Sequence, residues 1–263
     1  MHVNLVDQYV RGTSTIHRLD TRVKVTATLL LILSVSLMPA GKWVAFAFLW
    51  AITLVLTAAA GIPIGSVLRR SLIALPFALA ALTLLVTVPG PPLLELPRVG
   101  WTVSEPGLVR FASILLKSWL SVQIAIILAA TTHLTDLLWA LNSLHVPRLL
   151  IAIISFMYRY LFVLAGEGFR MARARQARSA APAGSQSTGG NLAWRARVTG
   201  WMVGQLFLRS YERSERVYQA MAARGYRGQI RRLDPPPLSP RDLMLGALPV
   251  TAYAVILAAA NWC

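Results

Sequence analysis

The sequence predicts an all-α membrane protein, with about five transmembrane helices and a cytoplasmic helical coupling module built on two long helices. Three observations predict it. Of 263 residues, 56% are hydrophobic and only 14% are charged, against about 25% charged in an ordinary soluble domain. The apolar residues come in runs close to the length of about 20 that a helix needs to cross a bilayer. The net charge of +16 is extreme, and it gathers between those runs. A mean hydropathy of +0.58 agrees. This composition excludes a disordered chain, a coiled coil and a disulfide-stapled module, and the single cysteine, Cys263, can form no internal disulfide.

The elements follow in order. Residues 1–22 form a cytoplasmic N-terminal segment. The run 23–38 is the first span. It reads as a retained helix, because Asp7 and Asp20 precede it, no A-x-A site follows and another apolar run begins at once. Residues 39–42 are a tight turn into a second span, 43–60. The runs 71–88 and 111–132 complete a four-helix transmembrane region over 23–132, with a Pro-rich loop over 89–110. After the break at Pro235-Pro236-Pro237, residues 242–263 supply the fifth span. A sixth apolar stretch, 149–166, holds Arg159 at its middle, where an arginine costs about 2.5–3.5 kcal/mol on insertion scales.

Lysine and arginine placement sets the orientation. Arg11, Arg18, Arg22 and Lys24 flank the first span, the next loop has only Lys42, and the third has Arg69 and Arg70. This alternation puts the N-terminus in the cytoplasm of a cell-membrane protein. From Glu167 to Arg241 there are 14 arginines, opposed by Glu167, Glu212, Glu215 and Asp234 alone. If 149–166 crossed the bilayer, all that charge would lie outside. Residues 133–241 are therefore expected to form one cytoplasmic or membrane-surface module.

Within the module, Thr135 is read as the N-cap of a helix over 136–144. Pro147 breaks the chain, and 148–178 is a long helical pattern, apolar first and basic later. The stretch from Pro182 to Asn191 is a loop by composition. A second long helix spans 192–223. Glu212 and Arg216 have the favoured i,i+4 order for a pair, and Gly225 is a natural C′ residue. Such basic helices suit anionic lipid headgroups. Nucleic acid is disfavoured, because the basic segment is tied at both ends to membrane spans.

Ala177-Arg178-Ser179 and Ala223-Arg224-Gly225 place an arginine in the last turn of each long helix. A cation there suits the negative end of the helix dipole, small neighbours let a partner surface approach, and a guanidinium binds carboxylates or carbonyls through several directed hydrogen bonds. Two such helices could form a pair of prongs. Capping by arginine is the simpler reading of either triplet alone.

The run from Ser210 through Glu212, Arg213, Glu215 and Arg216 to Ala223-Arg224-Gly225-Tyr226 resembles the signature of the transmembrane T component of energy-coupling factor (ECF) transporters. His17, Leu19, Asp20, Arg22 and Lys24 are similar to that family's HxLDPRxK opening, with Thr21 in place of proline. The first Ala-Arg-Gly is matched only as Ala177-Arg178-Ser179. The N-terminal portion is most similar to the cobalt/nickel branch, the CbiQ type. The resemblance implies a scaffold that joins two cytoplasmic ATPase subunits to a substrate-binding membrane subunit, with a small accessory membrane subunit in that branch. It implies that Arg178 and Arg224 sit in grooves of the ATPases, which would hold the ATP and magnesium; no cofactor is expected on this chain.

Enzyme signatures are absent from the sequence: there is no G-x-x-x-x-G-K-[ST], G-x-S-x-G, H-E-x-x-H or cysteine pair. A metal site from His2, His17 and Asp20 is imaginable, but a capping or interface role suits these residues better. The alternative to a scaffold is a membrane enzyme or lipid-surface protein that uses the basic helix pair as an anion clamp. Such an enzyme would want clustered carboxylates, and the chain has ten acidic residues in all, with no D-x-x-D group in the module. Secondary transport would want an ionisable group inside a span. Lys117 is the one candidate, and it can snorkel to an interface.

Overall fold

The computed structural model describes residues 9–10, 12–74, 76, 81–96, 101–178, 191–228 and 238–262. The chain is an all-α membrane protein with one small two-stranded hairpin. Its residues divide into two compact units, one of Asn4–Leu144 with Asp234–Cys263, the other chiefly His145–Leu233.

In the first unit, α1 (Thr15–Arg18) is capped by Ser14, and α2 (Thr21–Leu37) by Asp20, whose Oδ1 accepts from Arg22 N at 2.8 Å. α3 (Trp43–Ala59) follows after the turn at Gly41. α4 (Ile64–Ser71), a 3-10 turn (Leu72–Ala74) and α5 (Leu84–Thr87) lead to β1 (Pro92–Leu96) and β2 (Trp101–Ser104), paired antiparallel. α6 (Glu105–Thr131), α7 (Leu134–Ser143) and, at the far end of the chain, α10 (Pro240–Trp262) complete the unit.

The core lies where α2, α3, α6 and α10 meet. Val35, Leu49, Leu120 and Tyr253 are buried there. The Tyr253 hydroxyl donates to Leu49 O at 3.0 Å and lies 2.6 Å from Thr53 Oγ1, which also donates to Leu49 O. A buried phenol needs such a partner. Gly246 makes the close approach of α10 to α2 possible, because a Cβ at that position would fall 2.1 Å from Val23 Cγ1.

Three features depart from the sequence expectations. The run 71–88 is not one continuous helix. Pro76 has no N–H for the carbonyl of Leu72, and its ring crowds that turn; α4 stops at Ser71 and α5 starts beyond it. The 89–110 loop contains β1 and β2, and α6 begins at Glu105 because Ser104 Oγ accepts from Gly107 N at 3.2 Å as its N-cap. α7 starts at Leu134 with His133 at its N-cap, so Thr135 lies inside the helix. Lys117, the one ionisable candidate within a span, donates to Ser36 O at 3.0 Å, one of the carbonyls left open at the end of α2.

By length and composition, Glu105–Thr131, Arg148–Arg178 and Pro240–Trp262 could each cross a membrane, and Trp43–Ala59 is a shorter apolar helix.

Candidate functional site: a basic helical hairpin

The second unit is built on α8 (Arg148–Arg178) and α9 (Leu192–Ala223), with the bounds the sequence predicts. Pro147 starts α8: its carbonyl accepts from Leu150 N at 3.0 Å and Ile151 N at 3.3 Å. Residues 179–190, which hold Ser179 and all of the composition loop but Asn191, lie outside the described residues.

Contacts along their length make α8 and α9 antiparallel. Arg175 Nη1 donates to Thr199 Oγ1 at 3.1 Å, and Arg209 Nη1 lies 2.9 Å from Glu167 Oε1. Nearer the other end, the rings of Phe156 and Tyr226 meet edge to face at 6.3 Å. Each step toward the C-terminus of α8 meets a step toward the N-terminus of α9. The prongs imagined from the sequence are therefore not side by side. Arg178 and Arg224 stand at opposite ends of the hairpin, about 40 Å apart at 1.5 Å per residue.

The end at Arg224 is a built stop. Gly225 has φ +79°, Tyr226 N donates to Met221 O at 3.0 Å, and Gly225 N donates to Ala222 O at 3.0 Å. This is a Schellman closure with the glycine at C′. Tyr226 at C″ folds back beside Met221 and Phe156, and the three line one apolar groove of about 580 Å³ between α8 and α9. Arg224 is held at the helix end with its side chain exposed, as are Ala177, Arg178 and Ala223.

Glu167 is the electrostatic hub of the hairpin, which spacing rules do not find. It pairs with Arg170 on its own helix and with Arg209 across the gap. The Arg170 hydrogen bond first, then that of Arg209, holds its carboxyl below the usual range. Glu212 and Arg216, by contrast, do not form the expected i,i+4 pair. They border a small cleft of about 220 Å³ with Glu167, Arg209 and Arg213. Glu215 is exposed.

The N-terminal residues His17, Asp20, Arg22 and Lys24 come together in the first unit as a clasp. His17 Nε2 donates to Val10 O at 2.9 Å, so its Nδ1 accepts from Ser14 Oγ at 2.7 Å, and both ring nitrogens are occupied. Lys24 Nζ donates to His17 O at 2.9 Å and to Thr131 O at 3.2 Å, joining α1 to the end of α6. The Arg22 guanidinium lies 4.2 Å from the ring centre of Trp139 on α7. His2 lies outside the described residues. Among the described residues, no three His, Cys, Asp or Glu side chains gather to hold a metal ion.

A helical membrane unit and a second, strongly basic helix pair in one chain define a class: a multi-pass membrane protein. Comparison with known proteins narrows it. The family model described as "Cobalt transport protein" (CbiQ) matches residues 12–235. The "Energy-coupling factor transporter transmembrane protein EcfT" of Exiguobacterium sibiricum is 31% identical over 235 residues, covering 85% of this chain and 86% of its own. The "Cobalt transport protein CbiQ" of Rhodobacter capsulatus is 30% identical over 167 residues, 64% of each chain. An uncharacterized protein of Methanocaldococcus jannaschii is 24% identical over 260 residues, covering 95% of this chain and 85% of its own. The chain belongs to the CbiQ/EcfT family of energy-coupling factor transporter transmembrane components.

Proposed function

We propose that this chain is the coupling scaffold of an ECF-type importer, linking two ATPase subunits to a substrate-binding membrane subunit and, in the cobalt/nickel branch, a small accessory one. Cobalt or nickel is the cargo, consistent with the names of the family model and of the Rhodobacter capsulatus relative. The chain performs no chemistry of its own; ATP and magnesium belong to the ATPases. Its N-terminus and hairpin face the cytoplasm, the runs 23–38, 43–60 and 111–132 with 242–262 serve as helical spans beside the broken run 71–88, and 133–241 is the coupling region. The charge bias carries this orientation, since the arginines would otherwise lie outside.

One observation carries the docking reading. No residue of the 32-residue α9 is buried, although it bears Trp201, Phe207, Leu208, Tyr211 and Tyr218, all exposed. Contiguous apolar side chains left open mark a surface meant to be covered. Arg178 and Arg224 end the two helices at opposite tips, a separation of about 40 Å that suits two motor subunits, one per tip. A push on either tip travels along a helix rather than through a loop.

The test is co-expression with the neighbouring genes and purification through a tag on this chain. An ATPase should copurify, and Arg178→Glu with Arg224→Glu should abolish it while the protein stays membrane-inserted. Unchanged copurification would remove both arginines from the interface. Cysteine labelling that placed residue 195 or 213 outside the cell would overturn the orientation.

A further inference from the structure

We infer that Lys24 is the clamp through which the first unit holds both α7 and α10, the helices between which the hairpin is inserted, and so is a positioning residue for the transmission of hairpin motion. The transmission part of this inference rests on the proposed scaffold role; the clamp itself does not.

The chain leaves the first unit after Leu144 and returns to it at Asp234. α7 is therefore the last helix before the hairpin, and α10 the first after it. Both come to the first turn of α2. On α7, the Trp139 ring lies 4.2 Å from the Arg22 guanidinium, and Asp136 stands one turn earlier on that face. On α10, Gly246 sits against Val23, and Asp242 stands one turn earlier. Lys24 is the next residue of the same turn of α2. It is only 8% exposed, and its Nζ donates to His17 O and Thr131 O at the ends of α1 and α6.

The carboxylates that act on this ammonium are Asp136, Asp20 and Asp242. Asp136 belongs to the first turn of α7, Asp242 to the first turn of α10, and Asp20 caps α2. Asp20 Oδ2 and Thr132 Oγ1 are buried without a hydrogen-bond partner. A buried carboxylate short of hydrogen bonds depends on nearby cations. α7 and α10 thus share one cation, and a displacement of either is felt by the other. Lys24→Ala would remove the heavy atoms of n-propylamine. Lys24 borders an apolar cavity of about 600 Å³, as the one charged side chain among the described residues of its lining. A free propyl chain therefore has room to lie where the lysine stem lay.

The experiment is hydrogen exchange on the full chain in a neutral detergent, read in α7 and in the first turns of α10. Lys24→Ala should quicken exchange in both by about tenfold, the loss expected for hydrogen bonds to a charged group. n-Propylammonium chloride should restore protection, and n-propanol or sodium chloride should not. Lys24→Met, of similar volume without the charge, should behave like Lys24→Ala. Asp242→Asn leaves both carbonyl bonds of Lys24 in place and guards against misfolding. It should quicken exchange in the first turns of α10 and, through the shared cation, in α7. Unchanged exchange in Lys24→Met, no rescue by n-propylammonium, rescue by n-propanol, or an effect of Asp242→Asn confined to α10 would each overturn the clamp. In the complex purified with its ATPases, cobalt taken up per ATP hydrolysed should fall several-fold in Lys24→Ala and recover with n-propylammonium, while ATPase copurification stays the same. An unchanged ratio would overturn the positioning role. Absence of an ATPase from the natural chain's preparation would overturn the proposed function instead, and the exchange measurements would still decide the clamp.

Discussion

Replacing Gly225 by alanine tests how the hairpin presents Arg224. Gly225 has φ +79°, and a Cβ built there would meet no atom within 4 Å. Crowding therefore contributes nothing, and the cost is that of a left-handed L-residue, about 1–2 kcal/mol. That is enough to open the last turn of α9 several-fold more often. Hydrogen exchange at the amides of residue 225 and Tyr226, which donate to Ala222 O and Met221 O, should quicken by about fivefold or more, at 1.4 kcal/mol per tenfold. Gly225→Asn should recover much of the protection, since asparagine tolerates the left-handed region. Gly200 is the control. It lies inside α9 with open space around a Cβ, so Gly200→Ala should raise protection by removing a helix-interior glycine that costs about 0.8–1.0 kcal/mol. Two changes of the same residue type then act with opposite sign on one helix. Unchanged exchange in Gly225→Ala, or an asparagine variant no better than alanine, would refute the idea that the Schellman closure fixes the arginine.

Tyr253→Phe should lower thermal stability by about 1 kcal/mol, because Thr53 still serves Leu49 O, whereas Tyr253→Ala should cost about 3–5 kcal/mol; thermal unfolding in detergent distinguishes them. Gly246→Ala should destabilise by about 1–3 kcal/mol through the clash with Val23, and Val23→Ala in the same chain should restore most of the loss. Because Arg170 and Arg209 hold the Glu167 carboxyl below its ordinary range, its contribution is complete above the unfolded value of about 4.3. It disappears as pH falls through the lower folded value. Exchange protection across α8 and α9 should therefore drop in acid in the natural chain, and Glu167→Gln should show no such step.

The long helices were legible because their ends carry chemistry. Pro147 starts α8, and Gly225 after the Arg224 C-cap stops α9. The span at 71–88 was misread because summed hydropathy ignores geometry: Pro76 is as apolar as its neighbours and still denies the helix a hydrogen bond. The start of α6 was hidden by the same habit in reverse. Ser104-Glu105-Pro106 is a helix-start signature, lost inside a stretch judged a loop for its prolines. Glu167 could not be read, because its second partner is 42 residues away and depends on how two helices align. The same alignment decides that Arg178 and Arg224 point to opposite ends. Lys24 shows the limit most clearly. Its charge counted toward orientation, yet in the fold it bonds two backbone carbonyls at the joint of α1 and α6.

The hairpin also presents a thermodynamic problem whose solution ties its order to its partners. α8 buries only Ile151 and Ala152, and α9 buries nothing. Most helical stability in proteins comes from burying an apolar face, and here the face is open, with Trp201 72% exposed. Whatever covers it adds stability according to its concentration over its dissociation constant. Order in α8 and α9 therefore rises with occupancy, and protection measured on the isolated chain should be lowest in α9. The two tips share no contact across about 40 Å, so their contributions to docking are independent. The losses from Arg178→Glu and Arg224→Glu should add to within about 0.5 kcal/mol. A large departure from additivity in measured ATPase affinity would mean that both arginines grip one body, and the two-motor geometry would fall.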